Sequence, residues 1–383
     1  MSQTSLGIIR LEALVTYVPY LDRSRRFYVD TLDFAEIGSS SPELSEAGSQ
    51  RSAVFRAGSC TVIAVAPEGR GGRAWRWLQR HPAGVGSLVW EVEDADHAFK
   101  LLEQRGATPI TGVETHTDEH GSMKMFSITT PLGGVSFRFV ERRGYGKLFP
   151  GFVPSGAQEH QSRFGFDTFD HVTSNFETMS PALLWMEHVL GFEQYWDVQF
   201  HTSDLGAEQH NGSGLRSVVM WDPNSGVKLA NNEPWRPQFK LSQINTFAEH
   251  NRGDGIQHVA LSVTDIIGAV RGLQAREVPF LETPESYYDQ LPGRLLQTGV
   301  GMIHEDVDTL RELGILVDGD RDGEYLLQVF MREAAGVYDD PQAGPFFYEL
   351  IQRKGNRGFG EGNFRALFES IERGGSESAP AEA

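Results

Sequence analysis

The sequence predicts an α+β fold in which tandem βαβββ units build two open β-barrel domains. Three paired landmarks, met twice in the same order along 383 residues, carry that expectation. "LEALVTYVPYLDRSRRFYVDTLDF" from Leu11 matches "FDHVTSNFETMSPALLWMEHVLGF" from Phe169. "GVGSLVWEVEDADHAFKLLEQRGATP" from Gly84 matches "GIQHVALSVTDIIGAVRGLQAREVP" from Gly255. "FRFVERRG", ending at Gly144, matches "YELIQRKG", ending at Gly355. Repetition of this kind marks a duplicated architecture.

Each landmark has a local reason. The first pair reads as an apolar strand, a polar turn, an amphipathic helix carrying aromatics, and a Leu-x-Phe exit. The second reads as a strand, then an aspartate near the helix start, then a helix and a small turn. The third closes each half with a strand. In "PFFYELIQRKG", Phe346, Phe347, Tyr348, Leu350 and Ile351 form a buried run between Pro345 and Gly355. Each half thus holds two units. The expected domains are residues 1–150 and 151–383, joined through the Gly/Pro-rich stretch "GYGKLFPGFVPSGAQ". Helical spacing in "NFRALFESI" predicts a closing helix, and the small, polar tail "RGGSESAPAEA" is expected to be disordered.

Composition narrows the function classes. A net charge of −18 gives no basic surface for nucleic acid, and 39% hydrophobic residues suit a soluble globular protein. The single cysteine, Cys60, excludes internal disulfides and a cysteine-rich zinc site. No apolar run is long enough for a membrane helix, and the N-terminal residues lack a secretory pattern, so a cytoplasmic location is expected.

Glu349 stands out because a carboxylate in an aromatic strand needs a counter-charge. Overlaying the halves sets His171 opposite Ala13, His258 opposite Ser87, and Glu349 opposite Arg138. The second half therefore carries three ligand-type residues where the first carries none. A lone histidine on such a strand is ordinarily a hydrogen-bonded core residue. Two histidines and a carboxylate at equivalent strand positions instead suit the facial triad of non-haem Fe(II) oxygenases. Period-two alternation puts Phe347, Glu349 and Ile351 on one face, so Glu349 can point inward toward a metal. Other motifs are weaker. There is no HExxH, "THTDEHGS" around the His116-x-Asp118 pair reads as a solvated loop, no histidine follows Asp306 to complete the His304-x-Asp306 pair, and "GFGEGNF" does not follow a strand and open a helix.

With these residues in view, the fold resembles that of the vicinal oxygen chelate superfamily, and the second half resembles the 4-hydroxyphenylpyruvate dioxygenases. The motifs are "FDHV", "LRSVVM", "NNEPW", "LSQI", "GIQHVALSV", "YYDQLPGR", "YLLQVF", "FFYELIQRKG" and "GFGEGNF", spanning about 200 residues. The segment "ERRGYGKLFPGF" resembles the family's interdomain stretch, whereas the first 140 residues match only in outline. The resemblance implies Fe(II) held by His171, His258 and Glu349. It implies substrate contacts from Ser217, Asn232, Gln243 and Gln328, and aromatic walls from Phe330, Phe347, Phe359 and Phe364. Gln243, Gln328, Phe330 and Phe364 would bear on catalysis. Gln257 also matches, although alternation puts it on the face opposite His258. Two departures are expected to lie near the pocket: Ala230 and Asn231 before Asn232, and a longer stretch between Phe330 and Glu349.

The implied reaction takes 4-hydroxyphenylpyruvate and O2 to homogentisate and CO2 by oxidative decarboxylation, ring hydroxylation and side-chain migration, a step of tyrosine breakdown or of a specialised pathway. The family forms dimers or tetramers, so a homo-oligomer is expected. The nearest alternative is a 4-hydroxymandelate synthase, which hydroxylates the benzylic carbon of the same substrate. Phe364 favours ring attack over it. A ring-cleaving catechol dioxygenase and a non-catalytic binding protein share the fold as more distant readings.

Overall fold

The computed structural model describes residues 5–146, 148–156, 161–201, 214–235, 242–360 and 362–363. Among these residues the strands gather into two sheets. The first contains Ile8–Tyr17 (β1), Ala35–Ser40 (β2), Gln50–Ala57 (β3), Cys60–Pro67 (β4), Gly84–Val92 (β5), Pro109–Thr117 (β6), Ser122–Thr129 (β7), Ser136–Arg143 (β8) and Phe152–Pro154 (β9). The second contains Phe166–Asn175 (β10), Glu193–His201 (β11), Gly214–Trp221 (β12), Lys228–Pro234 (β13), Gly255–Val263 (β14), Leu316–Arg321 (β15), Glu324–Phe330 (β16) and Phe347–Lys354 (β17).

The strand orders are β6-β7-β8-β5-β1-β4-β3-β2-β9 and β11-β12-β13-β10-β14-β17-β16-β15. Each sheet is two βαβββ units laid side by side, meeting where the first strands of the units pair antiparallel, β1 with β5 and β10 with β14. The expected α+β fold of tandem units in two curled sheets is therefore the observed one. The last unit is enlarged by helices Glu285–Gln297 and Val307–Leu313 before its second strand. The chain beyond Gly144 does not leave the first sheet at once. Residues 152–154 pair with β2 and finish its edge.

Local chemistry explains the helices. Asp94 accepts the His97 amide at 3.0 Å, and Asp265 accepts the Gly268 amide at 3.1 Å, so each helix after the seam strand is capped by its aspartate. Helix Ala95–Gln104 then buries Ala95, Ala98 and Leu102, a stripe at helical spacing laid on the sheet. The aromatic helices of the first landmark pair share a further trait: both widen into a π-helical turn, at Arg26–Thr31 and at Met186–Leu190.

The two sheets pack on each other through aromatics and backbone. Phe34 meets Phe166 across the interface, and Tyr28, stacked on Phe55 of its own half, brings its hydroxyl to 2.9 Å from that of Tyr348 in a buried contact. The Ser59 amide donates to the Asp167 carbonyl at 2.6 Å. Gly58 permits that approach: its φ is +55°, and a Cβ there would sit 2.4 Å from the Phe166 carbonyl oxygen. The hydroxyl pair gives a measurable expectation. Tyr348→Phe leaves the Tyr28 hydroxyl buried without its partner and should cost about 1–3 kcal/mol in urea unfolding. The double change with Tyr28→Phe should recover part of that loss, because neither hydroxyl is then stranded.

Candidate metal centre

β10, β14 and β17 lie side by side at the middle of the second sheet. His171 pairs with Ala260, Thr173 with His258, Ala260 with Glu349, and His258 with Phe347. Residues opposite each other, or two apart on one strand, share a face. His171, His258 and Glu349 therefore project from three adjacent strands into the same concavity. All three are buried, at 4%, 2% and 1% exposure. Their ligand atoms lie within 4.8 Å of one another. The Glu349 Oε2 is 3.3 Å from the His171 Nε2 and 3.4 Å from the His258 Nε2.

The same ladders in the first sheet pair Ala13 with Val89, Val15 with Ser87, and Val89 with Arg138. In register, then, Ala13, Ser87 and Arg138 stand where the second sheet has His171, His258 and Glu349. This is the equivalence the sequence repeat predicts.

The donor set fits a divalent metal. The His171 Nδ1–H donates to Asp170 Oδ1 at 2.9 Å, and the His258 Nδ1–H donates to Gln257 Oε1 at 3.1 Å. With Nδ1 used on both rings, both Nε2 lone pairs turn toward Glu349, as ligating histidines require. The other carboxylate oxygen, Oε1, accepts from Gln328 Nε2 at 2.8 Å, which leaves Oε2 as the free donor. Metal bonds of roughly 2.1 Å set at right angles place donor atoms about 3 Å apart, close to the 3.3 and 3.4 Å from Glu349 Oε2 to the two imidazole nitrogens. Burial alone would raise the Glu349 carboxyl, yet His171 and His258 hold it down at about 2, ready for a cation at neutral pH. Burial lowers His258 from its ordinary value; it opposes charge on His171 too, but Glu349 and Asp170 outweigh it there and raise the group.

Asp170 is itself gripped. Arg353 Nε and Nη2 donate to its two oxygens at 2.6 and 2.7 Å, and Arg353 Nη1 donates to the carbonyls of Asn356 and Gly358 at 3.1 and 2.8 Å. Burial works against charge on Asp170, but Arg353 and His171 overcome it and hold the carboxyl far below the usual range.

Aromatic rings roof the triad. Phe347 stacks on His258 with centroids 5.0 Å apart, and Phe330 meets the same ring edge-on at 5.9 Å. Phe359 meets His171 edge-on at 4.9 Å and stacks on Trp196 at 6.1 Å. Beside them runs a row of buried polar groups. Ser217 pairs with Asn232, and Asn232 with Asn175, across β12, β13 and β10. Asn232 Nδ2 donates to Asn175 Oδ1 at 3.0 Å. The Ser217 hydroxyl, Asn232 Oδ1, Asn175 Nδ2, Thr173 Oγ1 and Gln243 Oε1 are sealed from solvent with no hydrogen-bond partner among the described residues. Buried polar groups in this state are rare and cluster where a ligand completes them.

Several expectations shift in position. The Gln257 side chain curls back and accepts from the His258 ring through Oε1. Gln328 is engaged by Glu349 on one side and by Asn363 Nδ2 at 2.9 Å on the other. Asn231 lies on the strand face opposite Asn232 and donates to the carbonyls of Val218 and Leu229, so of the pair Ala230–Asn231 only Ala230 shares the face of Asn232, against Val219 and Phe359. The longer stretch after Phe330 has its visible partners elsewhere. It folds as helix Ala334–Tyr338 and a short turn, and docks on the first half, where Asp340 pairs with Arg23 at 2.8 Å and Gln342 accepts the Ala83 amide at 2.9 Å. Phe364, the closing helix and the tail lie outside the described residues. The sequence reading passed over Asp170, Arg353, Asn175 and Thr173. Alternation counted onward from His171 would have found the last two.

Comparison with known proteins adds kinship to this geometry. Residues 10–139 and 168–291 match the model of the Glyoxalase/Bleomycin resistance protein/Dioxygenase superfamily. Over 303 residues the chain is 38% identical to the 4-hydroxyphenylpyruvate dioxygenase of Dictyostelium discoideum, covering 77% of this chain and 79% of the relative. It is 39% identical to that of Caenorhabditis briggsae over 303 residues, covering 77% and 74%. Among solved structures, a mutant of 4-hydroxymandelate synthase from Streptomyces coelicolor superposes with a TM-score of 0.79 at 24% identity, over 96% of this chain and 99% of the other, a likeness of fold.

Proposed function

We propose that this chain, which belongs to the 4-hydroxyphenylpyruvate dioxygenase family, converts 4-hydroxyphenylpyruvate and O2 to homogentisate and CO2 with Fe(II) held by His171, His258 and Glu349. The chain is a dioxygenase of that family's kind. The observation that carries the finer reading is the buried triad, both outer imidazole nitrogens already held, beside a row of unpartnered polar groups. Fe(II) at this site would supply Lewis acidity toward a 2-oxo acid and the redox chemistry of O2.

The chain's own residues do the aiming. Asp170 and Gln257 fix the two rings, and Gln328 fixes the carboxylate, so the donors are set before any ligand arrives. Phe330, Phe347 and Phe359 form apolar walls that exclude water and flank an aromatic ring. Ser217, Asn232 and Asn175, with Gln243 from the start of helix Gln243–Asn251, offer hydroxyl and amide groups to the oxygens of the substrate. A phenol or a carbonyl brought into this cavity would meet the partners it lost on leaving water.

Anaerobic loading with Fe(II), followed by 4-hydroxyphenylpyruvate and O2, tests the reading. Equal consumption of substrate and O2 is expected, with homogentisate identified by mass spectrometry and NMR. A dominant 4-hydroxymandelate product would move the attack to the benzylic carbon. Failure to consume O2 with this substrate would remove the proposed activity altogether.

A further inference from the structure

The register that builds the metal centre also places Arg138 in the first sheet where the second has Glu349. A cationic fork thus replaces the carboxylate at the heart of an otherwise equivalent concavity. The Arg138 Nε is sealed from solvent without a partner, and among the described residues its guanidinium makes no ion pair or hydrogen bond. Burial pulls its pKa down from the ordinary arginine value, with Arg73 acting in the same sense and Tyr17 and Glu114 against it. The group nonetheless stays charged at neutral pH, because a guanidinium does not titrate there.

The surroundings do not neutralise it. Arg73 approaches from helix Arg73–Leu78, donating to the Tyr17 hydroxyl at 2.8 Å, to Ser136 Oγ at 3.2 Å and to the Gly134 carbonyl at 3.4 Å. Ser136 sits two residues before Arg138 on the same face, and its Oγ bonds Ser87 Oγ at 3.1 Å, with Ser87 in the position of His258. Glu114 is the carboxylate that bears on Arg138, but it is more than half exposed and lies 3.6 Å from His116 Nε2 instead. Among the described residues, two guanidinium groups and hydroxyls remain, with no opposing carboxylate in contact with Arg138. A partly buried charge whose Nε is sealed and unpartnered is costly unless something completes it.

We propose that the concave face of the first sheet binds a small oxyanion, a carboxylate or a phosphate, with Arg138 as its anchor and Arg73 beside it. Arginine presents two parallel N–H groups that match either anion, which is why it is the residue for such sites. The duplicated scaffold then holds a cation in one half and an anion in the other, by inversion of charge at one register position.

Thermal unfolding of the full, iron-loaded chain tests this. Sodium phosphate and, separately, sodium acetate are titrated against sodium chloride at equal ionic strength. A saturable rise in midpoint of about 2–4 °C over chloride is expected with at least one of the two. A response to phosphate alone assigns a phosphate, a response to acetate alone a carboxylate, and a response to both the shared oxyanion chemistry. In Arg138→Met the rise should vanish, while turnover persists and the anion-free midpoint does not fall, since a partly buried charge with a sealed, unpartnered Nε has been removed. Arg138→Lys keeps the charge without the fork and should bind several-fold more weakly; it also serves if the methionine variant does not fold. No rise above chloride in the unaltered chain, an equal rise in Arg138→Met, or an undiminished affinity in Arg138→Lys would overturn the proposal.

Discussion

Glu349→Gln is expected to lose iron and turnover together while keeping its fold. The substitution preserves volume and can still accept from Gln328 Nε2, which is 2.8 Å from Oε1 in the parent. It removes the negative charge on which both Nε2 atoms converge, at 3.3 and 3.4 Å. A neutral amide is a poor ligand for a hard cation, so anaerobic iron binding measured by chelator competition should collapse. Turnover should fall by about three orders of magnitude or more, since several kcal/mol of metal-derived stabilisation go with the ion. Stability should fall as well. Against burial, His171 and His258 hold the Glu349 carboxyl at about 2, so its ionised form stabilises the iron-free fold at neutral pH, and the neutral amide gives that up. The variant should therefore melt below the iron-free parent, and only the parent should gain stability when Fe(II) is added. His258→Ala should also lose activity and lower the midpoint, because it opens a cavity between Phe330 and Phe347. Iron-dependent turnover surviving in Glu349→Gln would mean that the carboxylate is not a ligand.

The fold and the triad were legible in the sequence because both rest on repetition and on period-two patterning. Matching landmarks fixed which strands were equivalent, and that isolated His171, His258 and Glu349 as substitutions against Ala13, Ser87 and Arg138. Ladder pairing in both sheets keeps the same offsets. The supporting groups were harder to read for two physical reasons. Asp170 precedes His171, so strict alternation would send it to the opposite face. The β10–β14 register slips between Phe169 and His171, and that irregularity lets Asp170 meet the imidazole beside it. Gln257 has no such help and reaches back by the length of its own side chain. No local pattern in the sequence shows what the stretch after Phe330 packs against. Gly344, at φ +82° and with a would-be Cβ 2.1 Å from the Ala83 carbonyl oxygen, brings that stretch onto the first half of the molecule. The row of Ser217, Asn232 and Asn175 lay between: two of its members came through resemblance, and the third was available from alternation alone.

Arg353→Met is expected to be the most destabilising single change around the centre, although Arg353 touches no ligand position. Its side chain is 19% exposed, that of Asp170 11%, and the two are joined by a two-pronged ion pair at 2.6 and 2.7 Å. Methionine fills much of the space but leaves Asp170 a buried carboxylate with only His171 Nδ1 to meet it. Breaking a buried pair on one side in this way costs about 3–5 kcal/mol, which should lower the thermal midpoint by roughly 5–15 °C. Iron affinity should fall about 10–100-fold as well, since the group that orients a ligating histidine is no longer held in place. A third consequence follows from the remaining bonds. Arg353 Nη1 also ties down the carbonyls of Asn356 and Gly358, directly before Phe359, whose ring leans on His171. Loss of that tie should raise hydrogen exchange at residues 356–360 before any global unfolding. Arg353→Lys separates charge from geometry: it can keep one ion pair to Asp170 but cannot also reach both carbonyls. Its midpoint should therefore be intermediate, with the faster exchange retained. A purely structural pair would lower the midpoint of Arg353→Met and leave iron affinity untouched. A coupled fall in both places Arg353 within the support of the metal centre.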